Sequence, residues 1–161
     1  MKLYDYELSG NCYKVRLFLS ILGLNFDTKP VDFYPGREHK SKALLSLNPL
    51  GQLPIFEDSD ATFCGSDVIL SYIAENYDKS GFWYPKKQRL SIDNWMRIAD
   101  EITATASAAR LHDTFFYDLD IDTARAGAHR LFRILDEHLW FSEKRGDDWL
   151  VETPFPTIAD I

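Results

Sequence analysis

Asn48-Pro49-Leu50-Gly51-Gln52-Leu53-Pro54-Ile55-Phe56 decides how the rest of this 161-residue chain is read. Pro54 stands at the mouth of an apolar strand predicted over residues 53–57, and a proline has no N–H to give to a ladder. It belongs at an edge or a special turn, and X-Pro is the one bond that takes the cis form at small cost. A bend of that kind leaves the backbone of Leu53 free to pair with an extended, peptide-like ligand. Two further segments share this geometry, Ser9-Gly10-Asn11-Cys12 upstream and Gly65-Ser66-Asp67 downstream, each predicted where a strand hands over to a helix.

Working outward from Pro54, the first half alternates strand and helix. Residues 2–6 read as a short strand. Val15, Phe18, Leu19 and Leu22 then recur at i, i+3, i+4 and i+7, the period of a helix with one buried face, and Gly23 is its expected C′ residue. Residues 26–33 form a second strand, parallel to the first because a helix connects them. A polar loop over 34–42 and a helical turn over 43–47 lead to a hairpin of residues 53–57 and 62–64, turning at 58–61. Ser66 is the expected N-cap of a helix over 67–77. The order is β-α-β-α-β-β-α, an α/β domain over 1–77 with a mixed sheet.

Residues 78–86, rich in Gly, Pro and charge, are the predicted linker, and 87–161 read as all-helical. Trp95, Ile98, Ala99 and Ile102 make one apolar stripe, and Ala124, Ala128, Leu131 and Leu135 make another. Thr157-Ile158-Ala159-Asp160 is a capping-box start after Phe155-Pro156, and the sequence stops one residue later. A formal net charge of −7 argues against nucleic acid or an anionic membrane as partner. Two cysteines and four scattered histidines supply neither a disulfide framework nor metal-ligand spacing, so no metal is expected. No apolar stretch approaches spanning length, the amino terminus has no apolar leader, and a reducing cytoplasm is the expected location.

The runs Met1-Lys2-Leu3-Tyr4-Asp5-Tyr6, Leu8 to Leu17 around Ser9, Asn48 to Pro54, Ser66 to Ile73 and Pro156 to Asp160 together resemble the soluble glutathione S-transferases, in that family's order and over nearly the whole chain. The resemblance implies a thioredoxin-like domain followed by an all-α domain. Relative to the family pattern, in which the capping box opens a central helix and further helices follow, the helical domain here is expected to be incomplete. It also implies glutathione as co-substrate, a small hydrophobic electrophile as second substrate, and a homodimer.

Residue by residue, the resemblance makes Ser9 the catalytic residue, its hydroxyl donating to the glutathione thiolate beside a helix N-terminus. Leu53 pairs with the ligand backbone, Pro54 sets the bend, and Gln52 and Ser66 hold the backbone and glutamyl end. The family has Glu-Ser where this chain has Gly65-Ser66, and Asp67 stands next in line as a replacement carboxylate. His39 matches a position that meets the glycyl carboxylate, and Arg110 one that lines the electrophile pocket. Two other readings stand beside conjugation: a non-catalytic binding protein on the same fold, and a glutathione-dependent thiol oxidoreductase using Cys12. The family places its redox cysteine at the Ser9 position and no Cys-x-x-Cys is present, which favours a half-buried structural role for Cys12.

Overall fold

The computed structural model describes residues 1–116 and 118–161. It divides into two compact units, Met1–Lys79 and Ser80–Asp160.

In the first unit, strands β1 (Lys2–Asp5), β2 (Asp27–Pro30), β3 (Ile55–Asp58) and β4 (Ala61–Cys64) form one sheet in the order β2-β1-β3-β4. β1 pairs parallel with β2, and both remaining pairs are antiparallel. The helices are α1 (Gly10–Ile21), α2 (Lys42–Leu47) and α3 (Ser66–Tyr77). Alternation along the strands builds two apolar layers. Leu3 and Phe56, opposite in register, point to one face and are fully buried along with Val15, Phe18 and Leu19 of α1 and Ile69 and Ile73 of α3. Tyr4 and Ile55 point to the other, where they cluster with Val31 and with Leu44 of α2. This is a thioredoxin-like mixed sheet with a helical region after it.

Among the boundaries that differ from the sequence reading, three shape the sheet end and the start of α3. β2 ends at Pro30 instead of running to residue 33; all four of its residues are exposed, as an edge strand allows, and the chain turns at once through Phe33 N–H to Val31 O. β3 begins at Ile55 because the Leu53-Pro54 peptide is cis and Pro54 has no N–H for the ladder. The N-cap of α3 is Gly65, not Ser66: Gly65 sits at φ 91°, a region that only glycine enters freely, so the helix starts one residue early. The end of α1 follows the expectation in full. Gly23 is left-handed, its N–H reaches Ser20 O and the Leu24 N–H reaches Leu19 O, both at 3.0 Å, which is the Schellman pattern.

The second unit is helical among the described residues. α4 (Arg89–Ile102) runs through a π-helical turn (Thr103–Ser107) into α5 (Ala108–Phe115), and α6 (Ile121–Arg145) follows. Asp120 caps α6 by accepting from Thr123 N–H at 3.1 Å, and left-handed Gly146 ends it. Ala124, Ala128 and Leu131 are buried as the periodicity requires. On α4 the most buried positions are Ile92 and Met96, while Trp95, Ile98, Ala99 and Ile102 are only half-buried. The displacement comes from a 3₁₀ turn (Ile158–Asp160) that packs against α4 and buries Ile158, a contact from far along the chain that periodicity within α4 does not contain. Asp160 holds that turn: its carboxylate accepts from Thr157 N–H at 2.8 Å and Leu150 N–H at 2.9 Å.

Candidate functional site

The sheet register brings the three segments singled out in the sequence to one edge. Tyr4 stands opposite Ile55, and Ile55 opposite Cys64. The chain leaving β1 toward Ser9, the chain entering β3 through Leu53-Pro54, and the chain leaving β4 through Gly65-Ser66 therefore all emerge at the same end of the sheet. A direct link ties two of them, Gly65 N–H to Pro54 O at 3.4 Å.

Ser9 is the N-cap of α1, extended at φ −79° and ψ 121°, and its Oγ accepts from Cys12 N–H at 3.2 Å. An oxygen that accepts one helix N–H keeps its own O–H proton to donate, and within the chain the neighbouring Cys12 thiol receives it. Leu53 is half-buried, and its N–H and C=O carry no hydrogen bond among the described residues. Pro54 is buried and Gln52 exposed beside it. Ser66 is the first residue of α3 and 7% exposed; its hydroxyl also bonds to no described residue, next to the open N–H groups of the helix start.

His39 lies at the same end of the sheet through an aromatic stack. Its ring lies 3.8 Å from Phe33, which in turn stacks on Tyr6 at 5.3 Å. It is 7% exposed, with Nδ1 buried and unpaired. Burial, with Lys40 and Arg37 nearby, holds its pKa below the ordinary histidine value, so the ring is neutral at pH 7. Arg110 belongs to α5 in the other unit and is exposed there.

Cys12 goes the other way. It is fully buried, and burial pushes its thiol up despite its place in the first turn of α1. A thiol that is both inaccessible and protonated at neutral pH cannot carry the oxidoreductase reading. Helix position alone suggested activation, and the helix face pointing into the core cancels it.

Two positioning residues escaped the sequence reading. Arg16 of α1 pairs with Asp5 at the end of β1 and donates to Glu7 O at 3.1 Å, bracing the connection that carries Ser9. Asn48, 4% exposed, donates from Nδ2 to Gln52 O at 2.9 Å and accepts at Oδ1 from Leu50 N–H at 3.1 Å, so one amide braces the whole approach to Pro54. The signal for Asn48 was present, an Asn before Pro in a Gly-containing loop; Arg16 reads in sequence as an ordinary exposed helix charge.

Against known proteins, residues 3–81 match the family described as glutathione S-transferase, N-terminal domain. The chain is 37% identical over 111 residues to glutathione S-transferase 3 of Zea mays, covering 69% of this chain and 42% of that protein. It is 32% identical over 114 residues to maleylacetoacetate isomerase of Pseudomonas aeruginosa, covering 70% and 50%. The chain thus spans half or less of the length of these curated relatives. A solved glutathione transferase homologue from Lodderomyces elongisporus, with two glutathione molecules per subunit, superimposes with a TM-score of 0.81 at 23% identity, over 98% of this chain and 78% of that one.

Proposed function

We propose that this chain, which belongs to the glutathione S-transferase family, binds reduced glutathione at the sheet edge formed by Ser9, Leu53-Pro54 and Ser66. The observation that carries this reading is the meeting there of two unsatisfied polar groups, the Leu53 backbone and the Ser66 hydroxyl, with the Ser9 hydroxyl at the start of α1. Each matches a part of an extended thiol tripeptide. Leu53 pairs with the cysteinyl backbone, Ser66 and the start of α3 take the glutamyl carboxylate, and Ser9 faces the sulfur. Gln52 and neutral His39 donate to the remaining carbonyl and the glycyl end.

The activity we infer is transfer of the glutathione thiolate to a small hydrophobic electrophile. A free thiol of pKa about 8.5 is only a few per cent ionised at neutral pH, and lowering it by about two units takes roughly 2.7 kcal/mol. The Ser9 hydroxyl and the α1 N-terminus supply interactions of that size. The electrophile is held nearby, and positioning provides the remaining acceleration. The working form is a cytoplasmic homodimer.

Calorimetric titration of reduced glutathione into the folded chain gives saturable one-site binding on this reading, and absence of heat overturns it. Turnover of an aryl halide then separates the enzyme from a binding protein. Ser9→Ala raises the bound thiol pKa by about one to two units and lowers turnover at pH 7 roughly ten- to a hundredfold. An unchanged ultraviolet thiolate signal and unchanged turnover in that variant remove Ser9 from the chemistry.

A further inference from the structure

Ser9 and Cys12 meet twice at the start of α1. The Cys12 N–H donates to Ser9 Oγ at 3.2 Å, and the Ser9 O–H donates to Cys12 Sγ. The first bond pins the oxygen in its N-cap position, while the second holds only its proton. Among the described residues no other acceptor takes that proton. Ser9 is half-buried and Cys12 fully buried, so the sulfur is an internal acceptor, closed to a ligand that approaches the hydroxyl from outside. Burial keeps the thiol protonated, which makes it a weak neutral acceptor, and the Tyr6 N–H still faces the sulfur once the hydroxyl has turned away. Turning the Ser9 O–H outward therefore moves one hydrogen, displaces no heavy atom and leaves no buried group bare.

Resting on the reading of Ser9 as donor to the glutathione sulfur, we infer that Cys12 is a positioning residue for that step: it holds the Ser9 hydroxyl proton in the free protein and competes for it with the sulfur of the bound ligand. While the ligand is a thiol, the proton stays on the internal acceptor. Once the ligand ionises, the anionic sulfur is the better acceptor and the O–H turns to it, because hydrogen bonds to charged groups are about twice as strong as neutral ones. The acceptor strength of the side chain at position 12 thus sets how much of the Ser9 donation the bound thiolate gains. This is a role for the Cys12 sulfur as acceptor, separate from the nucleophilic role that its burial forbids. A side chain that only filled the core there would change stability and leave the ionisation of the ligand alone.

The experiment follows the ultraviolet thiolate absorbance of bound glutathione against pH in the wild-type chain, in Cys12→Ala and in Cys12→Ser, each variant also combined with Ser9→Ala. Cys12→Ala removes the internal acceptor and is expected to lower the bound thiol pKa by about half a unit, the low end of one neutral hydrogen bond. Cys12→Ser replaces sulfur with oxygen, a stronger acceptor, and is expected to raise it by about as much. Both shifts vanish in the Ser9→Ala background. No shift in either variant, shifts of the same sign in both, or shifts that persist without the Ser9 hydroxyl overturn this inference and leave glutathione binding standing. Absence of glutathione binding by the wild type overturns both. Thermal denaturation of each variant alongside confirms that it is folded, and Cys12→Ala with its Ser9→Ala partner decides the matter alone if the hydroxyl of Cys12→Ser unsettles the core.

Discussion

At the scale of single residues, local backbone and burial set the chemistry. Gly65 at φ 91° carries no side chain because an L-residue there costs roughly 1–2 kcal/mol. Gly65→Ala is expected to lower stability by about that amount, measured by urea denaturation. His39 gives a pH signature. Its pKa in the folded chain lies below the ordinary value of 6.5, so the unfolded chain takes up its proton first on acidification. Its stabilising contribution is whole above about pH 6.5 and is lost as the pH falls through the folded value. His39→Phe, which keeps the stack on Phe33 without a titrating nitrogen, is expected to flatten the fall in melting temperature between about pH 7 and 5; an unchanged slope refutes that assignment. Ser9 and Cys12, three residues apart, show how little a local motif says about reactivity, since only the former faces outward from the helix start.

At the scale of elements, α6 meets the π-helical turn through Gly127. A Cβ there would lie 2.7 Å from Thr105 Cγ2, and Thr105 cannot rotate away without losing the bond from its hydroxyl to Glu101 O at 2.7 Å. Gly to Ala inside a helix ordinarily gains about 1 kcal/mol, but overpacking costs about 1–3 kcal/mol. Gly127→Ala is therefore expected to destabilise the second unit by about 1 kcal/mol. In a Thr105→Ser background, which removes Cγ2, the same change becomes neutral or stabilising, a sign reversal that a double-mutant cycle reads directly. The π turn itself was invisible in the sequence: Thr103 to Ser107 are small residues that fit any helix, and the extra residue per turn arises only where the neighbouring helix presses close.

At the scale of the whole molecule, the two units are held by different kinds of polar anchor. In the first, Asp58 is buried under two phenols, accepting from Tyr72 at 3.0 Å and from Tyr77, and the Asp58 bond with burial behind it pushes Tyr77 up to about 12. A raised folded pKa contributes stability that is complete below the unfolded value near 10 and lost as the pH rises through 12. Spectrophotometric titration is expected to show a phenol ionising near pH 12 that disappears in Tyr77→Phe. In the second unit, Asp160 gathers the Leu150 and Thr157 N–H groups, and Asp160→Ala is expected to cost about 2 kcal/mol by leaving both donors unpaired, seen as a lower melting temperature. What the sequence determined by itself is the element order, the thioredoxin-like class and the three segments around Ser9, Pro54 and Ser66, because hydrophobic period, proline and glycine act on a few neighbouring residues and leave their mark locally. Tertiary structure alone decided the burial of Cys12 and the shift of the α4 core to Ile92 and Met96. Each of these depends on which side of an element another part of the chain covers, and that pairing is made across distances in sequence that no local pattern spans.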